Sequence, residues 1–269
     1  MKKARADWIA FIDSDDAVHP QYLEILYRGL LEQHARISLC EYIEAETVPE
    51  NFFGEAAACE ASFRELSDSV YAASVKEIKC FDDVVWRMLI AKDILERFPF
   101  TEGRIFEDTA VVCRWMIAAK KIAVFKCPLY FYRLNPSGTV CSADNSIRQA
   151  DILWAHNRRL ECFAQNRYEE TLRVFTRISM FRAVTTLDLF TETCPNRDGV
   201  KRVKKEFREM ERKYGRYAVM TPEEAEWILW KFHKGRYWMH IFHQILKRDG
   251  FLRTVYKGIR RVGKKLLKR

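Results

Sequence analysis

Strand-like and helix-like segments alternate along the chain up to about residue 145, and then the strand pattern stops. Any sheet must therefore be built from the first half, and the second half must be helical. Trp8 to Ile12 (WIAFI) reads as a short buried strand, and Pro20 followed by QYLEILYRGLLEQH has the apolar spacing of a helix. RISLCEYIEA alternates as a second strand, while residues 46–78 show no clear period. A helix is expected across FDDVVWRMLIAKDILERF, with Asp82 or Asp83 near its start and Pro99 ending it. FEDTAVVCRWMIAAKK reads as another helix, opening on acids and closing on lysines as the helix dipole favours. IAVFKCPLYFYRL supplies one or two strands, and NPSG makes a turn. Three or four helices follow, broken near CPNRDG, at Gly215 and around RDGF; Thr221-Pro222-Glu223-Glu224 is a helix start with a capping hydroxyl and an early proline.

Composition supports a folded chain: 48% of residues are hydrophobic, with only 10 Gly and 7 Pro among 269. The eight cysteines are scattered with no CxxC pair, which predicts reduced, mostly buried intracellular thiols rather than zinc ligands or disulfides. The apolar run after MKKARADW is too short for a signal peptide, and no stretch has the length that spans a bilayer, so a cytoplasmic location is expected.

The net charge is +9, and its placement matters more than its size. Lys247 to Arg269 carry ten Lys or Arg against Asp249 alone, so the tail holds the whole excess and the body is balanced. On a helical wheel at about 100° per residue, Phe251, Val255, Ile259, Val262 and Leu266 share one side. Arg253, Lys257, Arg260, Arg261, Lys264 and Lys265 occupy the other. That division predicts a helix lying on an anionic membrane surface, peripheral at the inner face of the cell membrane. A terminal helix docked on the body is the structural alternative. No nucleic acid is expected, since no nucleic-acid-binding motif accompanies the charge. Trp227, Trp230, Phe232, Tyr237, Trp238 and Phe242 make the preceding stretch aromatic, as core packing would require.

Asp13, Asp15 and Asp16 end the first strand within four residues. Like charges this close raise one another's pKa unless a cation offsets them. Mg²⁺ or Mn²⁺ fits such a segment, because it takes one or two protein carboxylates and completes its sphere with water and phosphate oxygens. An acidic loop capping the next helix is the bland reading. Glu107 and Asp108 form a second acidic pair at a helix start, where acids are ordinarily dipole partners. Together the two sites admit a division of labour in which one binds metal and the other accepts a proton.

In order along the chain, WIAFIDSDDAVHPQYLEILY, VWRMLI, FTEGRIFEDTAVV and PLYFYRLNPSGTV resemble the second half of the family 2 glycosyltransferases, over roughly residues 5–142. These are nucleotide-sugar-dependent enzymes of the GT-A fold. The resemblance implies a partial GT-A, Rossmann-like mixed sheet with helices, an α/β class, followed by a helical C-terminal region. It implies that Asp13, Asp15 and Asp16 hold Mn²⁺ or Mg²⁺ on the diphosphate of a nucleotide-diphosphate sugar donor, with Asp16 the direct ligand. Asp108 matches the family's catalytic base, with Glu107 its neighbour. Trp86 matches the tryptophan of a helix on the acceptor side, and Arg133 and Ser137 match a recurrent substrate-binding segment. The implied reaction is inverting transfer to the hydroxyl of a glycan or lipid-linked glycan acceptor in cell-surface polysaccharide synthesis.

The resemblance also implies that the strand and DDGSTD-like segment which bind the nucleoside are missing ahead of Trp8. Lost nucleotide contacts position the reacting atoms as well as binding them, so impaired activity of this chain alone is expected. Three regions result: 1–142, the C-terminal half of a GT-A domain; 143–247, helical; and 248–269, the basic amphipathic tail. A non-catalytic membrane-associated or interaction scaffold is the first alternative. A haloacid-dehalogenase-like phosphatase, which also opens on a strand and DxD, is the second; Ala17 replaces the Thr or Val expected there.

Overall fold

The computed structural model describes residues 3–54, 59–76, 84–135, 147–193, 195–233, 235–236 and 239. The chain divides into two compact units, Met1–Val219 and Met220–Arg269. The first holds a mixed six-stranded sheet and seven of the eight described α-helices.

The sheet is built from β1 (Trp8–Ala10), β2 (Ala17–Val18), β3 (Ile37–Ala45), β4 (Ala61–Glu65), β5 (Met88–Ala91) and β6 (Lys121–Arg133). Its order is β1-β5-β3-β6-β2, with β4 also pairing β6. β3 runs parallel to β6; the other pairs are antiparallel. IAVFKCPLYFYRL makes one long strand despite Pro128, which has no N–H to give a ladder. The proline faces Glu41, where the β3–β6 register shifts on either side, so the bulge accommodates it.

Helix α1 (Tyr22–Gln33) follows Pro20 as expected and buries Tyr22, Ile25, Leu26 and Leu30 on the sheet. Gly29 lies where α1 meets β6: a Cβ there would stand 2.5 Å from Cε2 of Phe125. Only hydrogen fits, so the helix tolerates a residue of poor helical propensity. Over its described part, the helix expected across 81–98 forms only at its C-terminal end. Met88–Ala91 is instead strand β5 between β1 and β3, with all four residues buried, and only Lys92–Arg97 is helical (α3). A buried MLIA run reads equally as strand or helix on periodicity, and the vacancy between β1 and β3 decides it.

The patternless segment 46–78 holds β4 and helix α2 (Asp68–Lys76). Asp68 caps a helix 100 residues away: its Oδ2 accepts from the Glu170 N–H and its Oδ1 from the Thr171 N–H, both at 2.8 Å. These are the second and third N–H groups of α6 (Glu169–Asp188), which have no partner within their helix. Helices α4 (Glu107–Ala119), α5 (Asp151–Gln165), α6 and α7 (Arg197–Tyr214) pack in succession, α4 on α5, α5 on α6 and α7 on both.

The second unit contains α8 (Pro222–Phe232). Its Thr221 and Glu224 form the reciprocal capping box that the sequence announces. Trp227 and Trp230 are more than one-third exposed, so these two do not fill a core as the aromatic pattern predicts. Ser137 and the tail 248–269 lie outside the described residues.

The thiol expectation needs one correction. Cys59 and Cys127 are joined as a disulfide, although 68 residues separate them in the chain. Cys40, Cys113 and Cys162 are free and buried. No described helix is long and apolar enough to cross a membrane.

Candidate active site

β1 leaves one edge of the sheet at Ala10, and β2 rejoins it beside β6 at Phe131 and Tyr130. The DSDD segment is the bridge between the two places. A short turn closes it, with the Asp16 N–H donating to the Asp13 carbonyl at 3.2 Å. Tyr130 holds both ends: its hydroxyl donates to Asp16 Oδ2 at 2.7 Å and accepts from the Asp13 N–H at 3.1 Å. The Arg133 N–H donates to Asp16 Oδ1 at 2.8 Å, and its Nε donates to the Asp15 carbonyl at 2.8 Å. Both oxygens of Asp16 are thus engaged by one partner each, which leaves further lone pairs on the carboxylate. In these contacts Arg133 fastens the acidic loop.

His19 secures the exit of the loop. The Gln21 N–H donates to its Nδ1 at 3.1 Å, so the proton sits on Nε2, which donates to the Gly54 carbonyl at 2.8 Å. Neither Tyr130 nor His19 stands out in the sequence. Tyr130 sits inside the quoted PLYFYR block, where a buried strand tyrosine needing a hydroxyl partner was the available signal.

The negative charge is concentrated. Burial raises the pKa of Asp13, and Asp16, Asp15 and Glu107 raise it further in that order. Glu107 is thus close enough to Asp13 for its charge to act there, though 94 positions separate the two in the sequence. Asp108 lies beside Glu107 in the first turn of α4, where its Oδ1 accepts from the Thr109 N–H at 2.7 Å. Burial pushes its pKa up to about 6 against that hydrogen bond, and Glu107 adds to the rise. Phe106, immediately before the pair, holds a left-handed backbone with φ 63°, a strained conformation for an aromatic residue.

Trp86 is not on a helix. It sits in the turn before β5, is 6% exposed, and stacks on Tyr130 and Tyr132 with ring centroids 4.4 and 5.4 Å away. Tyr42 meets it edge-on at 4.8 Å.

Among the described residues no group of three or more His, Cys, Asp or Glu is arranged to hold a metal. The DSDD loop does fit a cation held by one or two carboxylates: burial first, and then the charges of Asp16, Asp15 and Glu107, raise the pKa of Asp13, and a cation would offset that repulsion.

A mixed sheet flanked by helices agrees with the α/β class that the resemblance implies. Residues 1–97 match glycosyl transferase family 2. The ED pair lies just beyond the matched residues. GlyG, a glycosyltransferase of Streptococcus pneumoniae serotype 4, is 27% identical over 164 residues, covering 57% of this chain and 50% of GlyG. GlyA, a glycosyltransferase of the same organism, is 23% identical over 142 residues, covering 48% of this chain and 19% of GlyA. The chain thus spans about half the length of one curated relative and about a fifth of the other. Among solved structures, S. aureus TarS 1–349 in complex with UDP-GlcNAc superposes with a TM-score of 0.40 at 14% identity, covering 82% of this chain and 71% of that one.

Proposed function

We propose that this chain carries out inverting, metal-dependent transfer of a sugar from a nucleotide-diphosphate donor to the hydroxyl of a glycan or lipid-linked glycan, in cell-surface polysaccharide synthesis. The observation that carries the reading is the placement of Asp108, half-buried in the first turn of α4 with its pKa raised to about 6, next to a Glu107 whose charge reaches Asp13. A carboxylate that titrates near neutrality is suited to accept a proton from an alcohol, a poor nucleophile on its own. The acceptor oxygen would then bond to the anomeric carbon from the face opposite the departing diphosphate, which inverts the configuration. Asp13, Asp15 and Asp16 would hold Mn²⁺ or Mg²⁺, which when bound supplies positive charge to the diphosphate oxygens. Tyr130 and Arg133 fix where those carboxylates stand.

Equilibrium titration with UDP tests the donor side. Binding is expected to strengthen when Mn²⁺ is present, and Tyr130→Phe should weaken the Mn²⁺-dependent part by roughly ten-fold, the worth of one hydrogen bond to a charged group. Indifference of UDP binding to Mn²⁺ would reject the metal assignment.

The tail belongs to the same proposal. Residues 248–269 would hold the protein to an anionic cytoplasmic membrane face, each basic residue near the surface contributing about 1 kcal/mol. Deleting 248–269 is expected to abolish co-flotation with vesicles rich in phosphatidylglycerol, and undiminished flotation would remove the tail from the reading.

A further inference from the structure

We infer that the cavity beside the start of α4 binds a phosphate group carried by the acceptor. The cavity has a volume of about 910 Å³ and lies between the Gly103–Ile105 loop, the turn ahead of α5, and α7. That volume is at the upper end for a small-molecule site and admits a sugar with its substituent. Its loop wall, Gly103–Ile105, immediately precedes Phe106 and the Glu107–Asp108 pair in the chain, and on the glycosyl-transfer reading this adjacency assigns the bound group to the acceptor.

The charges lining it are unequal. Arg104, Arg148, Arg202 and Lys205 face Asp151 and Glu206, a surplus of two positive charges. Arg104 is part of the wall: its Nη1 donates to Asp151 Oδ1 at 2.8 Å, and its guanidinium lies 5.0 Å from the Trp154 ring centroid. Glu206 is also engaged, accepting from Asn157 Nδ2 at 2.8 Å. The other three bases form no ion pair or hydrogen bond among the described residues. Elsewhere on these helices Arg158 pairs with Glu161, and Lys213 with Glu209. Arg202 and Lys205 stand three apart on α7 and so share a face, and Arg148 comes to the same hollow from the turn before α5.

Converging positive charges in excess of the described carboxylates repel one another, and an anion relieves that repulsion. A phosphate monoester carries about −1.5 to −2 at neutral pH, which matches the surplus; a sugar carboxylate carries one charge. Two guanidinium forks suit phosphate oxygens in particular. The word acceptor rests on the glycosyl-transfer reading, whereas the phosphate site does not.

The test is calorimetric titration of the full chain with glucose 6-phosphate, inorganic phosphate, glucuronate and glucose. Alongside it goes the triple variant Arg148→Ala, Arg202→Ala, Lys205→Ala; all three side chains are exposed, so the fold should survive, as circular dichroism will show. Glucose 6-phosphate is expected to bind more tightly than inorganic phosphate or glucuronate, glucose not at all, and the triple variant roughly ten-fold or more weakly. Equal binding by wild type and variant overturns the site. Inorganic phosphate binding as tightly as the sugar phosphate overturns the acceptor part, and glucuronate binding as tightly overturns the preference for phosphate. Displacement of the sugar phosphate by a tighter-binding single-stranded oligonucleotide would reassign the surface to nucleic acid. UDP titrated in parallel should bind both proteins equally. If UDP binds neither while glucose 6-phosphate still distinguishes them, the glycosyl-transfer reading fails and the phosphate site stands.

Discussion

Replacing Asp108 with Asn is expected to lower the rate of the proposed sugar transfer by roughly 10²–10⁴-fold, the usual worth of a positioned general base, while the proposed Mn²⁺-dependent UDP binding should persist. Asn keeps the shape and can still accept the Thr109 N–H, so only the capacity to take a proton is lost. The wild-type rate should rise with pH through about 6, as the carboxyl deprotonates, and the variant should lack that limb. Stability supplies an assay independent of turnover. The native state raises this pKa above the ordinary carboxylate value of 3.8, so between that value and about 6 the folded protein binds more protons than the unfolded chain. Its stabilising contribution is complete at low pH and is lost as pH climbs through that window, leaving a half-buried, ionised carboxylate at neutrality. Asp108→Asn should therefore be more stable than wild type at pH 7, on the order of 1–3 kcal/mol. Thermal melts across pH 4 to 8 check the sign. Retained transfer would remove Asp108 from the role of base, and an unchanged melt would show that the carboxyl is not held in a desolvated site.

Trp86→Ala is expected to cost about 3–5 kcal/mol of folding free energy, the largest stability effect among the residues discussed. The indole fills the space between Tyr130, Tyr132 and Tyr42, and its backbone carbonyl accepts the hydroxyl of Tyr22 at 2.8 Å from α1. Truncation leaves a cavity under Tyr130, the same residue that fastens Asp13 and Asp16, so Mn²⁺-dependent UDP binding should weaken together with stability. Urea denaturation measures the first effect and titration the second. Trp86→Phe, which retains ring stacking, should recover most of both. A Trp86→Ala variant that unfolds at the wild-type urea concentration but binds acceptor poorly would instead support the acceptor-side role implied by the family resemblance.

The places where the sequence misleads share a physical cause. MLIA at 88–91 is buried on every side, and a wholly apolar run has no period to separate strand from helix. Cys59 and Cys127 carry no spacing signal, because chain folding alone brings the segment just ahead of β4 to β6. Asp68 sits in a stretch without pattern, yet it caps α6 through a contact that no local rule can foresee.

What the sequence determines by itself is local: the start of α1 after Pro20, the capping box of α8, the acids opening α4, and an α/β half followed by a helical one. Each follows from residues within a turn or two of one another, where propensity, capping and periodicity act directly. Only the tertiary structure decides that Glu107 sits near enough to Asp13 to raise its pKa, that Tyr130 ties the DSDD loop, and that burial brings Asp108 to about 6. Those outcomes depend on desolvation and on Coulomb interactions between distant parts of the chain, and neither exists until the sheet and α4 have packed.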